Sequence, residues 1–201
     1  MARSQGNPNS PLVCFCELVT RDPFFLVGRG DPSAFQLTDL PELRFATVSE
    51  VPTPWLCLQQ DLRDAGVDPD RLERLTNLTM ADNLEALRKG DLDVARLFEP
   101  YASMALTSGT GRILYTANSP GQPSIRPSSL PATASPAIVQ RLPQWCARFA
   151  WLQEHSVDEL AAGVAPFYPG LPSDLLLSSL RRYQQAGLWA THPEVSRKGF
   201  A

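Results

Sequence analysis

Histidine, the side chain best suited to moving protons near neutral pH, is almost missing. The 201 residues hold two, His155 and His192, both in the C-terminal part. His155 precedes a helix-capping sequence and His192 precedes a proline, so exposed loop positions are expected for both. No G-x-S-x-G, H-E-x-x-H, phosphate-binding Walker loop or G-x-G-x-x-G occurs. The chain is therefore not read as an enzyme, and no catalytic residue or cofactor is assigned. Basic residues are scattered and the net charge is -3, which leaves no footprint for nucleic acid. No apolar run approaches the ~20 residues of a membrane span. The first residues, MARSQGNPNSPLV, lack the hydrophobic core of an export signal. Cysteines number four (Cys14, Cys16, Cys57 and Cys146), without any C-x-x-C pair. They read as buried free thiols, and no metal site is expected.

What is present is an ordinary globular composition, 43% hydrophobic, whose apolar residues fall in a telling order. Leu12 to Thr20 reads as a buried strand and Phe24 to Val27 as a short second one, with Asp22-Pro23 between them. Arg44 to Ser49 is a strand that breaks at SEVPTP into a helix. Thr53 is its expected N-cap, Pro54 its first residue, and Gly66 its terminator. Trp55, Leu58 and Leu62 form one buried stripe on it. A short strand follows near Arg74 to Leu78, then a helix over Met80 to Lys89, a strand at Val94 to Phe98, and a helix from Glu99-Pro100 to Gly109. Ile113 to Thr116 closes the series. Alternating strands and short helices predict a parallel sheet wound in βαβ units. Asp61, Asp64, Asp68, Asp70, Glu73 and Asp82 fall on its predicted solvent faces. Residues 118–136, NSPGQPSIRPSSLPATASP, show no periodicity and read as a linker or disordered loop. The last third is helical. Leu142, Trp145, Phe149 and Leu152 share a face, Ser156 and Glu159 make a capping box, and Asp174 to Ala186 carries Leu176, Leu180 and Tyr183.

Two places could receive a ligand. Ser49-Glu50-Val51-Pro52-Thr53-Pro54 lies at the carboxyl end of a parallel strand, where open α/β sheets bind ligands. Free amides and the helix dipole there would favour an anion. Ser49 and Thr53 would add hydroxyls, and Trp55 an apolar wall. Thr53 could equally be only a cap. The second place is Glu99-Pro100-Tyr101, again after a strand, where a carboxylate could accept from an amine or amidine. Equally, Glu99 could be a solvated residue that complements the helix dipole.

Four stretches, taken together, resemble the substrate-binding proteins of ABC importers. They are DLPELRFATVSEVPTPWLCLQQDLRDAGVDPD, MADNLEALRKGDLDVARLFEPYAS, APFYPGLPSDLLLSSLRRYQQAGLWA and HPEVSRKGF. The resemblance is to the family handling nitrate, taurine, alkanesulfonates and thiamine-pyrimidine precursors, which includes the fungal thiamine-pyrimidine synthase. It implies an α/β fold of the type-II periplasmic binding protein kind: one βαβ lobe with C-terminal helices of an incomplete first lobe. Residues 1–34 would hold the crossing strands and a remnant of the first lobe, and residues 35–117 the ligand-binding lobe. After the linker at 118–136, residues 137–201 would return to the first lobe. Ser49, Glu50, Thr53 and Trp55 would fall in the ligand loop, with Glu99 and Tyr101 in a turn facing the cleft. The implied ligand is a small anionic or heterocyclic solute, the implied partner an ABC permease, and the implied state a monomer. The family is periplasmic or lipid-anchored; the chain as written would stay in the cytoplasm. Members run about half as long again, with an export signal and a first half-lobe before the position of Leu12. A shortened copy that binds nothing is therefore a second reading. An enzyme of thiamine-pyrimidine synthesis is a third, and neither histidine is placed to serve it.

Overall fold

The computed structural model describes residues 19–117 and 150–191 with their side chains, and residues 12–17 and 127–131 as backbone. The expected helix face at Leu142, Trp145 and Phe149, together with Cys146 and His192, lies outside the described residues. The strands are β1 (Leu12–Glu17), β2 (Phe25–Gly28), β3 (Phe45–Ala46), β4 (Val94–Leu97), β5 (Arg112–Thr116) and β6 (Pro127–Pro131). The labelled helices are α1 (Thr53–Asp64), α2 (Met80–Lys89), α3 (Tyr101–Thr107), α4 (Val157–Val164) and α5 (Ser173–Gln185).

β1 pairs antiparallel with β6, and the other four strands form a sheet in the order β3-β4-β2-β5. β3 and β4 are parallel. Leu75 prolongs the parallel edge beside β3: its amide donates to Phe45 O and its carbonyl accepts from Thr47 N, both at 2.9 Å. β2 lies antiparallel between β4 and β5. Thus β3, β4 and β5 share one direction, as the βαβ grammar requires, and the sheet is mixed only because β2 opposes them.

The central strands, FLVG and VARL, are buried along their whole length, as expected of strands covered on both faces. On one face Phe25, Val27, Ala46, Ala95 and Leu97 pack with Met80 and Leu87 of α2, Ala102 and Ala105 of α3, and Tyr183 of α5. On the other, Leu26, Phe45, Val94 and Leu114 pack with Leu58 and Leu62 of α1 and with Leu37 and Leu40 of a 3-10 turn, Leu37–Glu42. Leu58 and Leu62 are each fully buried, worth about 1.5–3 kcal/mol apiece. The β2–β5 edge has no room for a side chain at Gly28, where a Cβ would meet Asp93 O at 2.7 Å and Leu114 Cδ1 at 2.6 Å.

Local chemistry accounts for the helix ends. Thr79 caps α2 through Asp82 N, and Gly90 closes it at φ +86°. Arg29 Nη2 then donates to the terminal carbonyls of Leu87 and Arg88, 2.8 Å each. The expected capping box is present: Ser156 Oγ accepts from Glu159 N, and Glu159 Oε2 accepts from Ser156 N, at the start of α4. Four expectations change. Pro52 is the N-cap of α1, and Thr53 is its first helical residue with no capping hydrogen bond. Asp61 is not on a solvent face but 3% exposed beneath α1. His155 is half-buried, its ring 4.4 Å from that of Trp151 and its Nδ1 2.7 Å from Trp151 O. Pro127 to Pro131, within the expected linker, is a strand. Its two prolines sit at the strand ends, where a missing N–H interrupts the ladder least.

A charged layer crosses the sheet under α1. Arg96 pairs across β2 with Leu26, and Leu26 in turn with Tyr115. Arg96 makes a buried ion pair with Asp22, in the segment leading to β2, while Tyr115 hydrogen-bonds Asp61. Burial, followed by the charge of Asp61 and this hydrogen bond, raises the Tyr115 phenol above its ordinary value of 10.0. Burial likewise raises Tyr183. A phenol whose folded value is raised contributes stability that is complete below the unfolded value and lost as pH rises. The melting temperature is accordingly expected to fall above about pH 10. Phenolate absorbance from these two residues should grow together with unfolding, so an equal titration of every tyrosine in the intact fold would contradict the burial.

Candidate functional site

The loops after the neighbouring parallel strands β3 and β4 open on the same edge of the sheet, and they carry all six residues singled out in the sequence. After β3 the chain stays in the ladder for three more residues. Ser49 N donates to Leu78 O at 3.1 Å, so this amide is not free. Thr47 is buried; its carbonyl accepts from Asn83 Nδ2 at 3.2 Å and its Oγ1 from Arg74 Nη1 at 2.7 Å. Glu50, although exposed, is tied down as well, because its Oε1 accepts from Met80 N at 3.0 Å. The chain's own carboxylate thus occupies the dipole-favoured position at the start of α2.

The amides of Val51, Thr53 and Trp55 carry no hydrogen bond among the described residues. They stand at the entry to α1, where four N–H groups have no intrahelical partner. Thr53 and Trp55 are half-buried, and Val51 and Leu56 are exposed apolar neighbours. Arg74 lies over the Trp55 ring, its Cζ 4.1 Å from the centroid. Its desolvation lowers the guanidinium's proton affinity. Arg74 was not singled out in the sequence. It lies 19 positions from Trp55 in a stretch without a motif, and only the parallel pairing of Leu75 with β3 brings it there.

The second loop is different in kind. Glu99 is 5% exposed and its carboxylate is fully engaged. Oε2 accepts from Ser103 N at 2.9 Å and Ser179 Oγ at 3.1 Å, and Oε1 accepts from Arg182 Nη1 at 3.1 Å. The solvated alternative is excluded by this burial. Tyr101, the first residue of α3, is half-buried edge-on to Phe98, ring centroids 6.4 Å apart. It packs against the cluster that holds Val48 and Met80, so the two loops share an apolar floor. Among the described residues there is no cluster of three histidine, cysteine or acidic groups able to hold a metal ion. Nor is any helix long and apolar enough to cross a membrane. The Cys57 thiol is half-buried; Cys14 and Cys16 lie in β1, where the backbone alone is described.

Residues 30–120 match the model of the NMT1-like family. A Bacillus subtilis (strain 168) protein named as a binding protein, YtlA, is 22% identical over 200 residues, spanning 94% of this chain and 58% of its own length. A solved structure from Bordetella bronchiseptica RB50 superposes with a TM-score of 0.72 at 16% identity, covering 94% of this chain and 64% of that one. The periplasmic aliphatic sulphonate binding protein SsuA of Escherichia coli gives 0.67 at 23% identity, covering 86% of this chain and 60% of its own. The alkanesulfonate-binding protein SsuA of Xanthomonas axonopodis pv. citri, solved with MOPS, gives 0.65 at 19% identity, covering 86% and 60%. These matches bear out the resemblance read from the sequence, and the fold is that of the SsuA-type binding proteins. The chain spans between 58% and 64% of the length of these four relatives.

Proposed function

We propose that the chain is a solute-binding component of an ABC importer. Its solute would be a small anionic or heterocyclic organic molecule of the sulfonate, nitrate or thiamine-pyrimidine-precursor type, and its partner a permease outside this chain. The observation that carries this reading is the pair of loops on one sheet edge, with unbonded amides at the start of α1 and Arg74 stacked on Trp55. Amides and a guanidinium favour an anionic group, while Trp55, Val51 and Leu56 favour an apolar portion attached to it. An alkanesulfonate has both parts, which agrees with the ligand classes named for the two SsuA relatives. Thr53, Trp55 and Tyr101 are the proposed contacts. Ser49 would contribute its hydroxyl, since its amide is spent, and Glu50 and Glu99 would hold the loops in place.

The test is a thermal-shift titration of the purified chain with taurine, short alkanesulfonates, nitrate, aromatic carboxylates and the thiamine pyrimidine. A ligand present at a hundred times its dissociation constant stabilises by about 2.7 kcal/mol. That amount should raise the melting temperature by about 5–10 °C for a chain of this length. A saturable rise with one class names the solute. A cooperative melt that no member of the panel moves would overturn the reading in favour of a copy that binds none of them.

A further inference from the structure

The most heavily bonded polar group near the proposed site makes its contacts with a helix more than seventy residues further along the chain. α5 presents Ser179, Arg182 and Tyr183, positions i, i+3 and i+4, to the turn that follows β4. Arg182 and Ser179 hold the Glu99 carboxylate, and both also reach Ser103 Oγ, at 3.3 and 3.2 Å. The Tyr183 hydroxyl accepts from Glu99 N at 2.9 Å and donates to Pro23 O at 3.4 Å. Its ring stacks on Phe25 and meets Trp189 edge-on. The stretch after α5 is fastened to the segment before β2 by Thr20 N donating to Leu188 O at 2.9 Å and by the Val19–Trp189 bridge. α5 therefore grips two things at once: the Glu99–Pro100–Tyr101 turn and the strand segment at 19–23.

None of these hydrogen bonds covers the sheet; Met80 and Leu87 of α2, Ala102 and Ala105 of α3 and the ring of Tyr183 do so. The common effect of the hydrogen bonds is to fix the backbone just ahead of Tyr101. We propose that Arg182 and Tyr183 are positioning residues for ligand capture, setting through Glu99 the direction in which α3 begins and hence the placing of Tyr101. This inference rests on the solute-binding reading above, with Tyr101 as a ligand contact. Fixing a contact residue before the solute arrives removes an ordering cost from binding, so loss of the grip appears as weaker affinity.

The experiment measures dissociation constants by calorimetry for taurine and ethanesulfonate, at a temperature where circular dichroism shows every variant fully folded. The chains are the wild type, Trp55→Ala, Arg182→Gln, Tyr183→Phe, Tyr101→Ala, and Tyr101→Ala combined with each α5 change. Arg182→Gln and Tyr183→Phe are each expected to weaken binding on the order of tenfold, equivalent to about 1.4 kcal/mol. With alanine at 101 neither change should weaken it further, because there is no side chain left to position, while the fall in melting temperature is the same in both backgrounds. Additive losses of affinity would overturn the proposal and leave α5 a purely structural support. So would wild-type affinity in both α5 variants. In either case Trp55→Ala, weakened against the wild type, keeps the solute-binding reading intact. A wild-type chain that binds neither sulfonate nor any other member of the panel overturns both together. Should Arg182→Gln not fold, Tyr183→Phe, which removes one hydroxyl and keeps the ring packing, decides the question alone.

Discussion

Replacing Arg96 by alanine is expected to cost about 3–5 kcal/mol of folding stability, because it leaves the Asp22 carboxylate buried without its cation. The two side chains are 1% and 5% exposed, so water cannot take the place of the lost guanidinium. Asp22 also accepts from Phe24 N at 3.2 Å, which is small compensation for a desolvated charge. At this chain length the loss corresponds to about 6–20 °C in melting temperature. The pair itself is a poor investment: Arg96 Nε has no hydrogen-bond partner among the described residues. A double variant, Arg96→Met with Asp22→Asn, is therefore expected to recover most of the loss and to melt within a few degrees of the wild type. Thermal melts of Arg96→Ala and of the double variant make the check. A single variant Arg96→Ala within about 2 °C of the wild type would show that the pair does not hold the segment before β2 against β4, since at this length 2 °C is under roughly 1 kcal/mol.

Arg96 also marks the limit of what the sequence discloses. DVARLFEP reads as a strand, and the strand is there, yet nothing in those letters says that the arginine points inward. Its counter-ion lies 74 positions away in a segment that reads only as a turn. The same limit hid Asp61, whose neighbours Leu58 and Leu62 define the stripe while its own burial depends on Tyr115 in a different element. Ends of elements with a local chemical cause were legible: Gly90 at a left-handed position just past the end of α2, and Ser156 capping the helix that follows it. Strand direction has no local cause. β2 opposes its neighbours β4 and β5, and no periodicity encodes that. Residues 127–131 were misjudged because composition speaks for loop, whereas pairing with β1 is a long-range event. At the candidate site, position in the chain put all six residues in the two loops after β3 and β4. The partners of Glu50 and Glu99, Met80 and Arg182, became visible only in three dimensions.

Glu99→Ala separates a structural carboxylate from a ligand-facing one. The substitution strips the acceptor from the buried Ser103 N, leaves Ser179 Oγ with Leu175 O at 2.8 Å, and takes the counter-charge from Arg182, which is partly exposed and can turn to water. Hydrogen bonds to a charged group contribute about 1.5–3 kcal/mol net, and a buried donor left without a partner adds its desolvation cost. A total loss of about 2–4 kcal/mol is expected, below that of Arg96→Ala because one partner stays reachable by solvent. Glu99→Gln keeps an acceptor for Ser103 and Ser179 and gives up only the charge, so about 1 kcal/mol should be lost. Because the cluster joins α3 to α5, the loss ought to be regional as well as global. Hydrogen exchange in α5 should quicken in Glu99→Ala by more than it does in α2, which has no part in the cluster. A carboxylate that served only a ligand would give the opposite pattern: unchanged exchange in α5, an unchanged melt without ligand, and weakened binding alone. Since both oxygens of Glu99 are already occupied by the chain's own donors, the first pattern is the one the geometry demands.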